Sequence, residues 1–277
     1  MKLIRSLPAN ILESMSQALK AGRLKPPYNA FIVAEWVPQA SRESLASELL
    51  SLQASGFTPV TLAITLEAFA EDAAARQRAI DQIQLVWTSP DEEGPHVRDT
   101  SVVVRQLLSE ARQSLWISTY SIFNGHEVFL PVAEAWSVRP ELDVVVILNA
   151  PPDDKNRIYG DAAIDKCAKA FWKYHWPWAK QPRVFYDPRG PEEAPILPAC
   201  QHAKCILVDR ATAFITSANF TESAHERNIE LGVLFRDCSQ VAQSIRLKFE
   251  SLIQNGFLKR LPAARRVGLV ETSDSGD

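Results

Sequence analysis

Apolar residues recur every three or four positions through the first third of the chain, the spacing of one face of an α-helix. Three segments show this spacing: NILESMSQALKAG, which ends in glycine, SRESLASELLSLQASG, where Ser41 can cap the start, and TPVTLAITLEAFAEDAAARQRAIDQIQLVW, with Pro59 in its first turn. We therefore predict a small helical N-terminal domain over residues 1–85. Its apolar faces either pack against one another, which is the favoured interpretation, or bind a partner.

The pattern changes after the polar segment TSPDEEGPHVRD, which we interpret as a loop or linker. Short apolar and β-branched runs then alternate with segments at helical spacing. The predicted strands are SLWISTYSI, LDVVVILNA, RVFY, KCILVD, AFITSA and ELGVLF, and the predicted helices are the segment from Thr100 or Ser101 through Ala111, HEVFLPVAEAW, DAAIDKCAKAFWKY and SQVAQSIRLKFESLIQNG. This alternation predicts an α/β domain over residues 86–270, with a mixed sheet flanked by helices on both faces, and a flexible tail over residues 271–277.

Composition and charge narrow the class of protein. The formal net charge of −3 and the pI near 6.0 argue against a surface coated in positive charge, but not against a local basic groove. No apolar run approaches the ~18 residues that a membrane span needs, and the N-terminus lacks the apolar stretch of a signal peptide. The four cysteines lack CxxC spacing, which favours reduced thiols. We therefore expect a cytoplasmic protein that does not bind membranes.

The segment HAKCILVDRATAFITSANFTESAHERNIELGVL contains the residues with the most informative chemistry. On a strand that begins at His202, Lys204 points to the same face, so an imidazole stands beside a fixed positive charge. Ser217 and Asn219 are also two residues apart, on the expected return strand. Phosphoryl transfer needs such a set of a nucleophile and anion-binding donors. We expect Glu230, in the next strand, to accept the second ring N–H of His202 and to define its tautomer.

This segment resembles the HKD motif of the phospholipase D superfamily, HxKx4Dx6GSxN. The matching residues are His202, Lys204, Asp209, Ser217 and Asn219, and Thr216 replaces the glycine of the motif. The strand around Glu230 resembles the strand that follows the motif in small, single-motif bacterial endonucleases. SLWISTYSI and LDVVVILNA resemble the opening of the same domain, so the resemblance covers about residues 85–255. Asp209 belongs to the motif, although its place after a strand favours a turn role over a catalytic one.

The resemblance implies a phosphodiesterase that needs no metal and no other cofactor. In the family, one motif histidine attacks phosphorus to form a phosphohistidine, and a histidine of a second motif protonates the leaving oxygen before water resolves the intermediate. This chain has a single motif. The resemblance therefore implies a homodimer in which the two copies of His202 meet across a two-fold axis.

A segment rich in basic and aromatic residues, KCAKAFWKYHWPWAKQPRVFY, is the candidate substrate contact. Lysines such as Lys169 and Lys173 can follow a nucleic-acid backbone while aromatic residues such as Trp176 stack on bases. His126 is a further candidate for lining the site. The competing interpretation, which we rank slightly ahead, is a helix with solvated lysines and tryptophans packed in the core. No residues with zinc-ligand spacing stand out, so no metal site is predicted.

The overall layout, a helical N-terminal region and one C-terminal motif, resembles the phospholipase-D-like component of the DISARM phage-defence systems. The first hypothesis is therefore a nuclease in anti-phage defence, with DNA favoured as the nucleic acid and other defence proteins as partners. A phospholipase ranks lower, because phospholipases resemble the family with two motifs in one chain. The remaining alternative is a non-catalytic dimeric subunit that recruits partners through the helical domain. Such a subunit would keep its biological function after the substitution His202→Ala.

Overall fold

The computed structural model describes residues 1–89, 98–149, 161–189, 200–221, 224 and 227–263. Most of the predicted linker TSPDEEGPHVRD, and all of the predicted tail over residues 271–277, lie outside the described residues. The chain divides into two compact units, Met1–Asp81 and Gln82–Asp277. The division falls a few residues before the boundary that we expected from the hydrophobic pattern.

Helices form the first unit: α1 (Ala9–Lys20), α2 (Gln39–Ala54) and α3 (Pro59–Asp81), with 3-10 turns at Ile4–Ser6 and Ile32–Glu35. Leucines at helical spacing supply its core, and Leu12, Leu49 and Leu66 are fully buried. Ser41 lies inside α2 rather than at its cap, and its N–H donates to the carbonyl oxygen of Pro38 at 2.9 Å. The helix begins directly after Pro38 because proline disfavours the helical conformation in the residue before it.

The predicted continuation of α3 through Trp87 is wrong. The helix ends at Asp81, and Ile83–Thr88 forms the first strand, β1, which is antiparallel to the strand Glu230–Phe235 along its whole length. Ile83, Leu85 and Trp87 of this strand are exposed, and the residues that alternate with them are more buried, as expected for a strand with one covered face. Its β-branched and aromatic residues suit a pleated surface, and pairing with a distant strand outweighs the helical pattern before it.

The second unit is organised around one sheet of nine described strands: β1 (Ile83–Thr88), β2 (Arg98–Asp99), β3 (Ser114–Thr119), β4 (Asp143–Asn149), β5 (Arg183–Asp187), β6 (Cys205–Val208), β7 (Thr212–Thr216), β8 (Glu230–Phe235) and β9 (Lys259–Arg260). Their order across the sheet is β2-β1-β8-β7-β6-β3-β4-β5-β9. The pairs β1/β2, β3/β4 and β4/β5 are parallel, and the other pairs are antiparallel. The predicted mixed sheet is therefore confirmed.

Helices cover both faces of this sheet, as predicted: α4 (Thr100–Glu110), α5 (Gly125–Val128), α6 (Leu130–Val138), α7 (Asp161–Ala170), which continues into a π-helical turn (Phe171–His175), and α8 (Ser239–Gln254). On one face, the core joins Leu107, Trp136 and Phe171 to the sheet. On the other, Phe249 of α8 packs with Leu207 in a second cluster. None of the described helices is both long and apolar enough to cross a membrane.

Two predicted boundaries shift within this unit. The predicted strand SLWISTYSI ends at Thr119, so Tyr120 leaves the sheet at the carboxyl end of β3. The predicted helix HEVFLPVAEAW is two short helices, α5 and α6, with Phe129 between them. Pro131 separates them because it has no N–H to donate to a carbonyl of the preceding turn.

Candidate active site

Four of the five motif residues, all but Asp209, gather where β6 begins and β7 ends. We predicted a strand starting at His202, but the ladder begins at Cys205, and residues 201–204 precede it without regular secondary structure. The carbonyl oxygen of Lys204 accepts the N–H of Thr216 at 3.1 Å, which ties this segment to β7. The antiparallel pairing of the two strands therefore places the first half of the motif beside Ser217 and Asn219.

His202 and Lys204 form a close pair with opposite exposure. The ammonium Nζ of Lys204 lies 3.3 Å from each ring nitrogen of His202 and donates to its carbonyl oxygen at 2.9 Å. His202 is exposed, whereas Lys204 is 7% exposed. Burial lowers the pKa of Lys204, and the negative charge of Glu230 partly opposes that shift. A solvent-accessible imidazole thus stands next to a desolvated cation, an arrangement that can bind and stabilise an anion.

Tyr120 completes one side of this pair, and the sequence analysis missed it. Its ring makes an edge contact with the ring of His202, with centroids 4.9 Å apart. The Lys204 ammonium lies 5.8 Å from the same ring centroid. An aromatic residue directly after a buried strand was the available signal, but we had placed that residue inside the strand. Tyr120 therefore restrains both motif side chains from the end of β3.

Ser217 and Glu230 are joined directly. The hydroxyl of Ser217 donates to Oε2 of Glu230 and accepts the N–H of Leu231 at 3.1 Å. The other oxygen of Glu230 accepts from the side-chain amide of Asn228 at 3.2 Å. Among the described hydrogen bonds, none links Glu230 to His202, so the expected contact with the imidazole is not the one observed. Glu230 instead orients Ser217 and contributes negative charge near Lys204.

The half-buried Asn219 follows Ser217 at the end of β7. Its side-chain oxygen is buried and has no hydrogen-bond partner in the described part of the chain. Leaving a buried polar atom unpaired costs about 1–3 kcal/mol, so this acceptor needs a donor from a water molecule or a ligand. Thr216 accepts the N–H of Ala218 through Oγ1 at 3.0 Å. The threonine that replaces the motif glycine therefore stabilises the turn that leads to Asn219.

Asp209 lies at the other end of β6 from this cluster. It has a positive φ of 49°, and its carboxylate accepts the backbone N–H groups of Arg112, Gln113 and Ser114 at 2.7–3.1 Å. These bonds hold the turn between β6 and β7 against the start of β3. The structure thus separates Asp209 from the other motif residues and gives its side chain a structural role.

The predicted substrate contacts divide into buried and exposed residues. Trp176 is 1% exposed and packs against Phe129 and Trp136 in the core, so the prediction that it contacts substrate is wrong. Its large apolar ring is more stable in the core than on the surface, and its N–H donates to a carbonyl oxygen at 2.7 Å. Lys169 and Lys173 are exposed. This is the pattern of the competing interpretation, with solvated lysines and core tryptophans.

The remaining predicted contact, His126, is exposed at the start of α5 beside Glu127, 3.8 Å away. His126 also helps to lower the pKa of the more buried His175, for which desolvation is the larger cause. In the described ranges, no group of three or more His, Cys, Asp and Glu side chains is placed to hold a metal ion. The residues that the fold brings together at the site are the His202 and Lys204 pair with Ser217, Asn219 and Glu230.

Several solved structures resemble this one in fold. Nuc, a phospholipase D family member from Salmonella typhimurium, is 20% identical, with 64% of this chain and 96% of that chain covered and a TM-score of 0.41. NucT from Helicobacter pylori is 15% identical over 62% of this chain and 96% of that chain, with a TM-score of 0.43. Phosphatidylserine synthase from Haemophilus influenzae Rd KW20 is 15% identical over 70% of this chain and 44% of that chain, with a TM-score of 0.49.

The search of curated proteins gives no match. The family described as "Cardiolipin synthase, PLD-like domain" matches residues 104–253, which is more than half of the chain. The matched region contains every motif residue from His202 to Asn219 as well as Glu230, and it covers β3 to β8 of the sheet. On this evidence the chain belongs to the phospholipase-D-like domain family of cardiolipin synthase.

Proposed function

We propose that this protein is a metal-independent phosphodiesterase that cleaves nucleic acid, with DNA as the favoured substrate, through a phosphohistidine intermediate. The observation that carries the proposal is the pairing of the exposed imidazole of His202 with the buried ammonium of Lys204 at 3.3 Å. A nucleophile must be accessible, whereas a charge that stabilises the transition state acts more strongly when water is excluded from it.

The chemistry follows from this arrangement. A ring nitrogen of His202 attacks phosphorus, the bond from phosphorus to the leaving oxygen breaks, and the leaving oxygen takes a proton. Water then attacks the phosphohistidine and restores the imidazole. The ammonium of Lys204 and the side-chain N–H of Asn219 would donate to the non-bridging oxygens as negative charge accumulates, while Glu230 holds the hydroxyl of Ser217 in place.

A second histidine is needed to protonate the leaving group, and the sequence holds one motif only. We assign this role to His202 of a second copy, because the residue is exposed and an imidazole can both donate and accept a proton. A mixing experiment tests the shared site. After subunit exchange, an equal mixture of wild type and the His202→Ala variant should keep roughly a quarter of the activity if both histidines are required, and roughly half if each copy acts alone.

We place this activity in cytoplasmic anti-phage defence, alongside other defence proteins. The support is the layout: a separate helical unit, Met1–Asp81, precedes the single-motif domain, as in the phospholipase-D-like component of the DISARM systems. The helical unit is the part of the chain that we assign to partner binding. Deleting the helical unit should abolish protection against phage in cells. In a separate measurement, cleavage by the purified remainder, Gln82–Asp277, is compared with cleavage by the full chain.

The first experiment is cleavage of labelled single- and double-stranded DNA and RNA in excess EDTA. The wild type should cleave at least one of these substrates, and the His202→Ala variant should not. The control is Gln243→Ala, at an exposed position of α8, and should leave cleavage intact. Phosphatidylglycerol vesicles serve as a parallel substrate. Hydrolysis of the lipid alone would replace the nuclease proposal, and equal cleavage by the two variants would remove His202 from the mechanism.

A further inference from the structure

A pocket of about 250 Å³ opens beside the catalytic pair. We call it the Tyr120 pocket, and its walls include Tyr120, Ile122, Asn149, Cys167, Phe171 and His175. It lies at the carboxyl ends of the parallel strands β3 and β4, and α7 with its π-helical turn closes the far side. Tyr120 belongs to the pocket and to the active site at once, since its ring also contacts His202.

The size and chemistry of the pocket limit what it can hold. Its volume is below the ~300–1,000 Å³ of pockets that bind drug-sized ligands, so it suits one small group. The described residues that line it include no Asp, Glu, Lys or Arg, which argues against a phosphate or a cationic head group. Asn149, Ser121 and His175 are polar, and an acyl chain would leave these groups desolvated without partners.

His175 presents a defined hydrogen-bonding edge. Burial, with a smaller contribution from His126, lowers its pKa, so the ring is neutral at pH 7. Its Nδ1 accepts the N–H of Gly125 at 3.3 Å, which leaves the proton on Nε2 as a donor. A Cβ at Gly125 would lie 2.6 Å from Cβ of His175, so only glycine permits this packing. Such π-helical turns occur frequently at functional sites.

We infer that the Tyr120 pocket binds the nucleobase next to the scissile phosphate, an inference that rests on the nuclease activity proposed above. A base is flat, uncharged and polar at its edge. The ring of Tyr120 can stack on its face, as aromatic side chains do in single-strand binding proteins, and Asn149 with His175 can bond to its edge. The phosphate of the same nucleotide would then lie toward Lys204, since Tyr120 lies between the pocket and the catalytic pair.

Binding of free nucleosides tests the pocket without any cleavage. The probes are adenosine, cytidine, guanosine and thymidine, measured by saturation-transfer NMR with the His202→Ala variant of the full chain. At least one nucleoside should bind. A variant that fills the pocket, Ala170→Leu, should weaken that binding at least tenfold, the loss expected when a stacked base is excluded. The matched control Ala162→Leu, on the exposed face of α7, should leave it unchanged.

A second measurement protects the test against misfolding of Ala170→Leu. In protein labelled with ¹⁵N-histidine, the bound nucleoside should shift the ring signals of His175. Two results would overturn the inference: no nucleoside binding to the His202→Ala variant, or equal binding when Ala170→Leu is added to that variant. Displacement of the nucleoside by dihexanoyl phosphatidylglycerol would assign the pocket to lipid instead. Because nucleosides carry no phosphodiester, failed cleavage with intact binding counts against the nuclease proposal alone.

Discussion

Replacing Asp209 should weaken the fold rather than the chemistry. Its Oδ1 accepts the N–H groups of Arg112, Gln113 and Ser114 at 3.1, 2.7 and 2.9 Å, and its Oδ2 accepts the N–H of Arg112 at 2.9 Å. The residue also has a φ of 49°, in the left-handed region that Asp and Asn tolerate better than Ala. Two substitutions therefore separate the effects. Asp209→Asn keeps the backbone preference and one acceptor, and Asp209→Ala loses both.

The magnitudes follow from these contacts. In Asp209→Asn, an amide group faces the N–H of Arg112 where an oxygen stood, and one charge-assisted hydrogen bond is worth about 1.5–3 kcal/mol. Because Asp209 is partly exposed, we expect a loss of about 1–2 kcal/mol. In Asp209→Ala, water can reach the N–H groups of the exposed Arg112 and Gln113, so the lost hydrogen bonds together cost about 2 kcal/mol. The left-handed backbone penalty adds roughly 1–2 kcal/mol, for a total of about 3–4 kcal/mol. For a domain of this size, the larger loss lowers Tm by roughly 6–15 °C.

The assay is urea unfolding followed by tryptophan fluorescence. Six of the seven tryptophans lie after residue 81, so the signal comes mainly from the second unit. Asp165→Ala, at an exposed site on α7, is the control and should change the free energy of unfolding by less than ~0.5 kcal/mol. If Asp209→Ala unfolds like the wild type, the structural role is refuted. If Asp209→Ala loses cleavage while its free energy of unfolding is unchanged, Asp209 has a catalytic role.

Three further predictions concern single side chains. Lys204 must be protonated to bind an anion, and burial lowers its pKa below the ordinary 10.5. The cleavage rate should therefore fall as the pH rises through that lowered pKa. A pH–rate profile checks this, and an unchanged rate up to pH 10.5 would contradict it. Gly232→Ala should cost about 1–3 kcal/mol in urea unfolding, because its Cβ would lie 2.5 Å from the ring of Phe214; wild-type stability would show that the ring can move. Burial raises the pKa of the Cys205 thiol to about 12. At pH 8, iodoacetamide should therefore modify the exposed Cys200 before Cys205. Mass spectrometry of the native protein measures the order of modification, and the opposite order would contradict the prediction.

The composition of the site was predictable where it depends on short spacings. His202 and Lys204 lie two residues apart just before β6, and Ser217 and Asn219 lie two residues apart just after β7, so the members of each pair are close along the chain. The hairpin of β6 and β7 then joins the two pairs, which a sequence of two short apolar runs separated by a tight turn already indicates. The position of Asp209 in that turn also follows from the local sequence. The three N–H groups that its carboxylate accepts come from a distant part of the chain, residues 112–114.

The contacts that the sequence analysis missed join residues far apart in the chain. Tyr120 meets His202 only because β3 and β6 are neighbours in the sheet, and Glu230 meets Ser217 because β8 is paired with β7. The wrong prediction for Trp176 also comes from contacts between distant residues. Alternating lysines and aromatic residues fit both a binding surface and a core helix, and the position of Trp176 in the core excludes the binding surface for this residue.

The hydrophobic pattern and the motif spacing determine a helical first unit, an α/β second unit and the closeness of His202 to Lys204, because periodicity and residue type act over a few neighbouring residues. The conversion of Ile83–Thr88 into a strand, the contact between Tyr120 and His202 and the pocket beside them depend on which strands pair and which side chains fill the core. Those choices are made by the burial and hydrogen-bond free energy of the whole domain, summed over residues that lie up to about 150 positions apart, as Ile83 and Phe235 do.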